Sequence, residues 1–136
     1  KMSKSDPSDQ SRINLTDDKD QIVNKIKKAK TDSAQLPQND NDIIKRPELV
    51  NLYGIFSSIK NQNLNKTIND FRGKNFSEFK NKLADILVEK IYPISNEIKK
   101  LLKDEKYIDN ILKIGSIEAE KIARKKVNDI KQKIGF

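Results

Sequence analysis

Five residues at the head of the chain, Lys1-Met2-Ser3-Lys4-Ser5, set two lysines three positions apart with a serine close behind each. Lysine is a compact cation on a flexible stem, and serine adds a hydroxyl donor while keeping the backbone close to a ligand. Such a set suits negative charge that builds up on phosphate oxygens as a bond breaks. In a lysine-rich chain the same run also fits an ordinary solvated loop. Other chemistry is excluded by composition. With no cysteine there is no disulfide frame, thiolate metal site or Cys nucleophile. With no histidine, the usual neutral-pH acid/base and the commonest metal ligand are gone. Asp17, Asp18 and Asp20 cluster, but their position at the start of a helical pattern accounts for them, and no metal site is expected.

At 136 residues the chain suffices for one compact domain, not for a catalytic α/β core together with a helical one. Hydrophobic and charged residues each make up 35%, so apolar side chains must be gathered on a few faces if a core is to form. Lys and Arg number 28 against 20 Asp and Glu, and residues 61–136 hold 17 of the basic groups against 11 acidic ones. This excess favours polyanions such as RNA, because phosphate contacts release condensed counterions. A merely soluble, lysine-rich protein has the same composition. No apolar run approaches the span of a bilayer and no signal peptide opens the chain, so no membrane partner and a cytoplasmic setting are expected. Because the first residue is lysine, the chain reads as a fragment.

The elements that must position these residues are helical. Residues 1–15 read as a loop broken by Pro7. Thr16 suits an N-cap, and Ile22, Val23, Ile26 and Ala29 come next at helical spacing, with Lys25, Lys27, Lys28 and Lys30 on the polar side. Thr31-Asp32-Ser33 stops this helix, or acts as a hinge, and residues 34–46 form a polar connection. Pro47 opens a second helix carrying Leu49, Leu52, Tyr53, Phe56 and Ile59. A short helix near 66–71 ends at Gly73. A long pattern over 76–102 contains Pro93, where a kink or split is expected. The last helix, near 107–134, has Ile108, Ile111, Leu112, Gly115, Ala119, Ile122, Ala123, Val127 and Ile130 as its inward set. Its other face gathers Lys121, Arg124, Lys125, Asn128 and Lys131, either an RNA-binding stripe or a solvated surface. Tyr53, Phe56, Phe76 and Phe79 sit at core spacing, which favours packing over base stacking. The expected fold is all-α, an irregular helical bundle behind a mobile loop.

Lys1-Met2-Ser3-Lys4-Ser5 matches the KMSKS signature of class I aminoacyl-tRNA synthetases at all five positions. The whole of residues 1–33, KMSKSDPSDQSRINLTDDKDQIVNKIKKAKTDS, resembles the bacterial and organellar tryptophanyl-tRNA synthetases. Arg46-Pro47-Glu48-Leu49-Val50-Asn51-Leu52, Gly73-Lys74, Phe79-Lys80, Leu83-Ala84 and Pro93-Ile94 continue the same pattern in order.

The resemblance implies a ligase that makes tryptophanyl-adenylate from ATP and tryptophan with Mg²⁺, then charges tRNA(Trp). Lys1 and Lys4 carry over as phosphate-contacting, transition-state-stabilising lysines. Met2 and Ser3 carry over as loop backbone near ATP, and Ser5 completes the motif. The family's HIGH-type element needs histidine, so the Rossmann-like catalytic domain is missing here, and this chain alone is expected to be inactive and to bind no cofactor. The implied layout is 1–15 as the KMSKS loop, 16–46 as a connecting helix and polar loop, and 47–136 as the helical anticodon-binding domain. Within it, Lys121, Arg124, Lys125 and Lys131 are the candidate tRNA contacts. The family implies a homodimer for the full enzyme, with this part alone a monomer. Two rivals remain: a basic helical RNA- or ribosome-binding module whose KMSKS is accidental, and a helical structural domain with no ligand. An H-x-G-H element upstream of Lys1 would separate the first reading from both.

Overall fold

A computed structural model describes residues 7–39 and 41–135, so Lys1, Met2, Ser3, Lys4 and Ser5 lie outside the described residues. After a single 3-10 turn at Asp9–Ser11, the order is α1 (Lys19–Lys28), α2 (Asn41–Ile44), α3 (Pro47–Lys60), α4 (Leu64–Phe71), α5 (Phe76–Leu101) and α6 (Glu105–Ile134). Every regular element among the described residues is helical, as the periodicity predicts. The chain divides into two compact units, Lys1–Asn96 and Glu97–Phe136, and the division falls inside the span 47–136.

In the first unit, the core is drawn from α1 to α5 and from the connection between α1 and α2. Ile22 and Ile26 come from α1, Leu36 and Ile43 from the segment after it, Leu49, Leu52, Tyr53 and Phe56 from α3. Ile68 and Phe71 of α4 and Phe79, Leu83, Ala84, Ile86 and Leu87 of α5 complete it. At its centre the rings of Tyr53 and Phe79 lie 4.6 Å apart, Phe71 and Phe79 4.9 Å, and Phe56 and Phe71 5.0 Å, mostly edge to face. Such pairs contribute about 0.5–1.5 kcal/mol each beyond the area they bury. These rings are therefore packing, not a base-stacking platform. Phe76, only partly buried, sits instead under the Arg46 guanidinium at 5.5 Å. Burial pushes the Tyr53 phenol up to about 12, against a small opposing pull from Arg46.

Several local expectations change. The N-cap of α1 is Asp18, not Thr16: its carboxylate accepts from the Gln21 backbone N–H while Gln21 reaches back to the Asp18 N–H. That reciprocal box satisfies two orphan donors, where a threonine two residues earlier would satisfy at most one. The polar connection 34–46 is partly ordered around a buried Leu36 and the short α2, whose Ile43 is also buried. Pro93 does not split α5, which runs unbroken from Phe76 to Leu101. The proline costs one backbone donor, but the helix carries on past it. Gly73 adopts φ +75 just beyond the end of α4, the left-handed conformation that glycine reaches without a Cβ penalty.

The second unit consists of the last turn of α5 and the whole of α6. Here the expected inward set is corrected: α6 has no buried residue. Leu112 is 64% exposed, Ile122 72% and Ile130 56%. The physical reason is that this unit is essentially one helix, with no second layer of its own to cover an apolar stripe.

Candidate functional site

The described chain opens on residues 7–18, a segment with almost no regular structure. Ser8 caps the 3-10 turn, its hydroxyl accepting from the Gln10 N–H at 3.3 Å. Asn14 and Asp17 then close a tight turn: the Asn14 N–H donates to Asp17 Oδ2 at 2.9 Å, and the Asp17 N–H to the Asn14 carbonyl at 3.1 Å. Across from them, Lys25 of α1 donates through Nζ to Asp17 Oδ2 and to Asp9 Oδ2, both at 2.7 Å. The Lys25 side chain is 5% exposed and that of Asp17 4%. Burial alone would lower the Lys25 ammonium, but the hydrogen bonds to Asp17 and Asp9 outweigh it and leave it raised. The same bond from Lys25, helped by Asn14, holds the Asp9 carboxyl below its ordinary range. Asp17 is thus a buried ion-pair partner and not a helix-dipole residue, and Lys25 does not face solvent.

Beside this cluster lies a cavity of about 690 Å³, walled by Arg12, Ile13, Lys28, Lys30, Leu52 and Ile55 among others. Its size falls in the range of small-molecule sites, and it joins an apolar lining to several cations. The far end of α1 is held by Lys80 of α5, whose Nζ donates to the carbonyls of Ala29 at 2.7 Å and Lys27 at 3.2 Å. A cation on orphan carbonyls at a helix C-terminus is favourable on both hydrogen-bond and dipole grounds.

A second clamp closes the connection after α1. Arg46 grips Asp32 with Nε at 2.8 Å and Nη2 at 2.7 Å, and Nη1 donates to the Gln35 carbonyl at 2.7 Å. That bidentate bond from Arg46 holds the Asp32 carboxyl below its usual value. Asp32 also accepts from the Ala34 N–H at 2.9 Å, so the Thr31-Asp32-Ser33 triplet is a locked turn.

Lys121, Arg124, Lys125 and Lys131 all lie on α6 and are exposed. Arg124 pairs with Glu120 one turn earlier, an i,i+4 contact that supports the helix. Among the described residues, no group of three or more Asp and Glu side chains offers a metal site, and no helix is long and apolar enough to cross a membrane. Lys25, Arg46 and Lys80 are structural keys that sequence reasoning did not single out. For Lys25 a signal existed, since it sits three residues after Ile22 and one before Ile26, within the buried stripe.

The family profile of class I tRNA synthetases (W and Y) matches residues 1–92, and the chain belongs to that family. Its relatives carry the tryptophan specificity. It is 46% identical over all 136 residues to a tryptophan–tRNA ligase of Agrobacterium fabrum, covering 38% of that protein. It is 42% identical to the Brucella melitensis tryptophan–tRNA ligase, covering 38%, and 43% identical to that of Rickettsia felis, covering 41%. The chain therefore spans about two-fifths of the length of these relatives.

Proposed function

We propose that this chain works as part of a tryptophan–tRNA ligase in the cytoplasm, supplying the loop that contacts the phosphates of ATP and helices that recognise tRNA(Trp). The observation that carries the reading is the complete KMSKS run at residues 1–5 heading a chain that resembles tryptophan–tRNA ligases along its entire length. Activation of tryptophan expels pyrophosphate, so negative charge grows on the departing phosphates. Lys1 and Lys4 stabilise that charge, while Met2, Ser3 and Ser5 hold the loop near the nucleotide. In this layout residues 1–15 form the loop, 16–46 the connector and 47–136 the anticodon-binding helices, with Lys121, Arg124, Lys125 and Lys131 on tRNA phosphates. The tryptophan pocket and a Rossmann-like catalytic domain belong to the rest of the ligase, which works as a homodimer. The family uses Mg²⁺ with ATP; among the described residues no group of three or more Asp and Glu side chains forms a ligand set for it.

The test is Lys4→Ala in the full-length ligase, read by tryptophan-dependent pyrophosphate–ATP exchange. A lysine that meets developing charge stabilises the transition state more than the ground state. The expected result is a kcat lowered on the order of a hundredfold, like the loss of one oxyanion donor, with the tryptophan KM little changed. A normal kcat with a raised ATP KM would make Lys4 a ground-state anchor.

A further inference from the structure

Asp9 lies five residues beyond Lys4, so even a fully extended backbone separates their Cα atoms by at most about 18 Å. How residues 7–18 are held therefore constrains where Lys4 can be. Apolar packing does little of that holding: Asp17 is the one buried residue in the segment, Leu15 is exposed, and Ile13 packs only partly against the core. The hold is polar and directional. Lys25 donates to Asp17 and Asp9, Asn14 donates through its backbone to Asp17, and Asn14 Nδ2 donates to Asp9 Oδ1 at 2.7 Å. These bonds form a closed ring through four residues. Arg12, 3.4 Å from Asp9, brings the second positive charge that balances two carboxylates.

Lys25 itself cannot drift. Ile22 and Ile26 flank it on α1 and are 0% and 3% exposed, and Lys80 pins the far end of the helix to α5. A hydrophobic group in place of a buried ion pair is often no less stabilising, so stability alone does not account for a buried Lys25–Asp17 pair with directional bonds at 2.7 Å.

We propose that Lys25, gripping Asp17 and Asp9, is a positioning residue that fixes the exit of the KMSKS loop so that Lys4 meets the phosphates of ATP. The inference rests on the phosphate role proposed for Lys4. Its consequence is specific: loosening the ring harms the reaction only through Lys4. Misplacing a catalytic group by about an ångström can cost on the order of a hundredfold, so partial loosening should cost less.

The test is a double-mutant cycle in the full-length ligase, with kcat for pyrophosphate–ATP exchange as readout. Lys25→Met should lower kcat about tenfold, and Asp9→Asn, at the exposed end of the ring, a few-fold. In a Lys4→Ala background both substitutions should have almost no further effect, because the group they position is gone. Transfer of tryptophan from preformed adenylate to tRNA should be unchanged, since that step expels AMP and not the pyrophosphate whose growing charge Lys4 meets. Losses that multiply in the Lys4→Ala background, or no loss with Lys4 present, would overturn the proposal. If Lys25→Met fails to fold because Asp17 is left buried and unpaired, Asp9→Asn decides alone; the Asp9 side chain is 51% exposed, so that substitution spares the core. Lys4→Ala without any loss would remove the phosphate reading itself, an outcome distinct from additivity.

Discussion

The two longest helices, α5 with 26 residues and α6 with 30, are neighbours in the chain and face opposite circumstances. Both are well capped. Asn75 accepts from the Glu78 N–H at 2.9 Å at the head of α5, and Asp104 accepts from the Tyr107 N–H at 3.0 Å at the head of α6. Both carry apolar side chains at helical spacing. In α5, Phe79, Leu83, Ala84, Ile86 and Leu87 are each no more than 3% exposed; in α6 nothing is buried. Caps and periodicity therefore make a helix, and only neighbouring layers make it part of a core. The stripe on α6 even keeps an eleven-residue recurrence, with Ile108, Ala119 and Ile130 on one line and Leu112, Ala123 and Ile134 on another. That period lies close to the natural twist of a straight helix, so the stripe stays on one face along its whole length.

The largest effect that can break this contrast is a pair of truncations. Phe79→Ala removes the ring that touches both Tyr53 and Phe71 and should cost about 3–5 kcal/mol. Ile122→Ala, at a position 72% exposed, should change stability by about 0.5 kcal/mol or less. Urea melts monitored by circular dichroism measure both. Comparable losses would show that the α6 stripe is covered in solution, and the contrast would fall.

This contrast also marks how far the sequence can be read. Period and breakers locate α3, α4 and α5 closely, because Pro47, Gly73 and the three- and four-residue spacings Tyr53–Phe56 and Phe79–Leu83 are local signals. The inward face expected for α6 fails for a physical reason: an apolar stripe states that burial would be favourable, not that a partner is present. The ring around Lys25 escapes a sequence reading because Asp9, Asp17 and Lys25 are up to sixteen residues apart, and a Lys–Asp pair leaves no periodic trace. The KMSKS run is legible only together with the matching residues downstream, since two lysines and two serines in a lysine-rich chain carry little information by themselves.

A smaller effect sharpens the contrast inside the packed unit, by asking whether its polar clamps matter beside the rings. Arg46→Lys keeps the charge but loses the fork on Asp32 and the bond to the Gln35 carbonyl, and should cost about 1–3 kcal/mol. The pH dependence has a definite sign. Asp32 has its carboxyl lowered on folding, mainly by Arg46, so its contribution is present above the ordinary carboxylate range and is lost as pH falls through the lowered value. The difference in Tm between the parent and Arg46→Lys should therefore be largest near neutral pH and shrink below about pH 4. A gap that persists undiminished in acid would assign the effect to stacking on Phe76 instead of the ion pair.

The smallest effect concerns what α6 does with its exposed charge. Because the helix is not spent on a core, Lys121, Arg124, Lys125 and Lys131 stand on a surface available to a polyanion. If they lie along tRNA phosphates, neutralising one releases one fewer counterion, and the slope of log K against log salt should flatten by about one unit. Lys125→Gln is the better choice than Arg124, which already pairs with Glu120. A flattened slope alone also fits a nonspecific basic helix, so a second axis is required. The full-length ligase is titrated, at two salt concentrations, with tRNA(Trp) and with the same tRNA carrying a changed anticodon. Anticodon bases read at their edges should cost about 1–3 kcal/mol when altered, by analogy with base discrimination in DNA, and that cost should be nearly independent of salt. Lys125→Gln should weaken both tRNAs equally and leave their ratio unchanged, because a phosphate contact positions but does not specify. If the ratio collapses instead, Lys125 reads a base. If the slope does not move, α6 is a solvated helix, and tRNA recognition lies on another face.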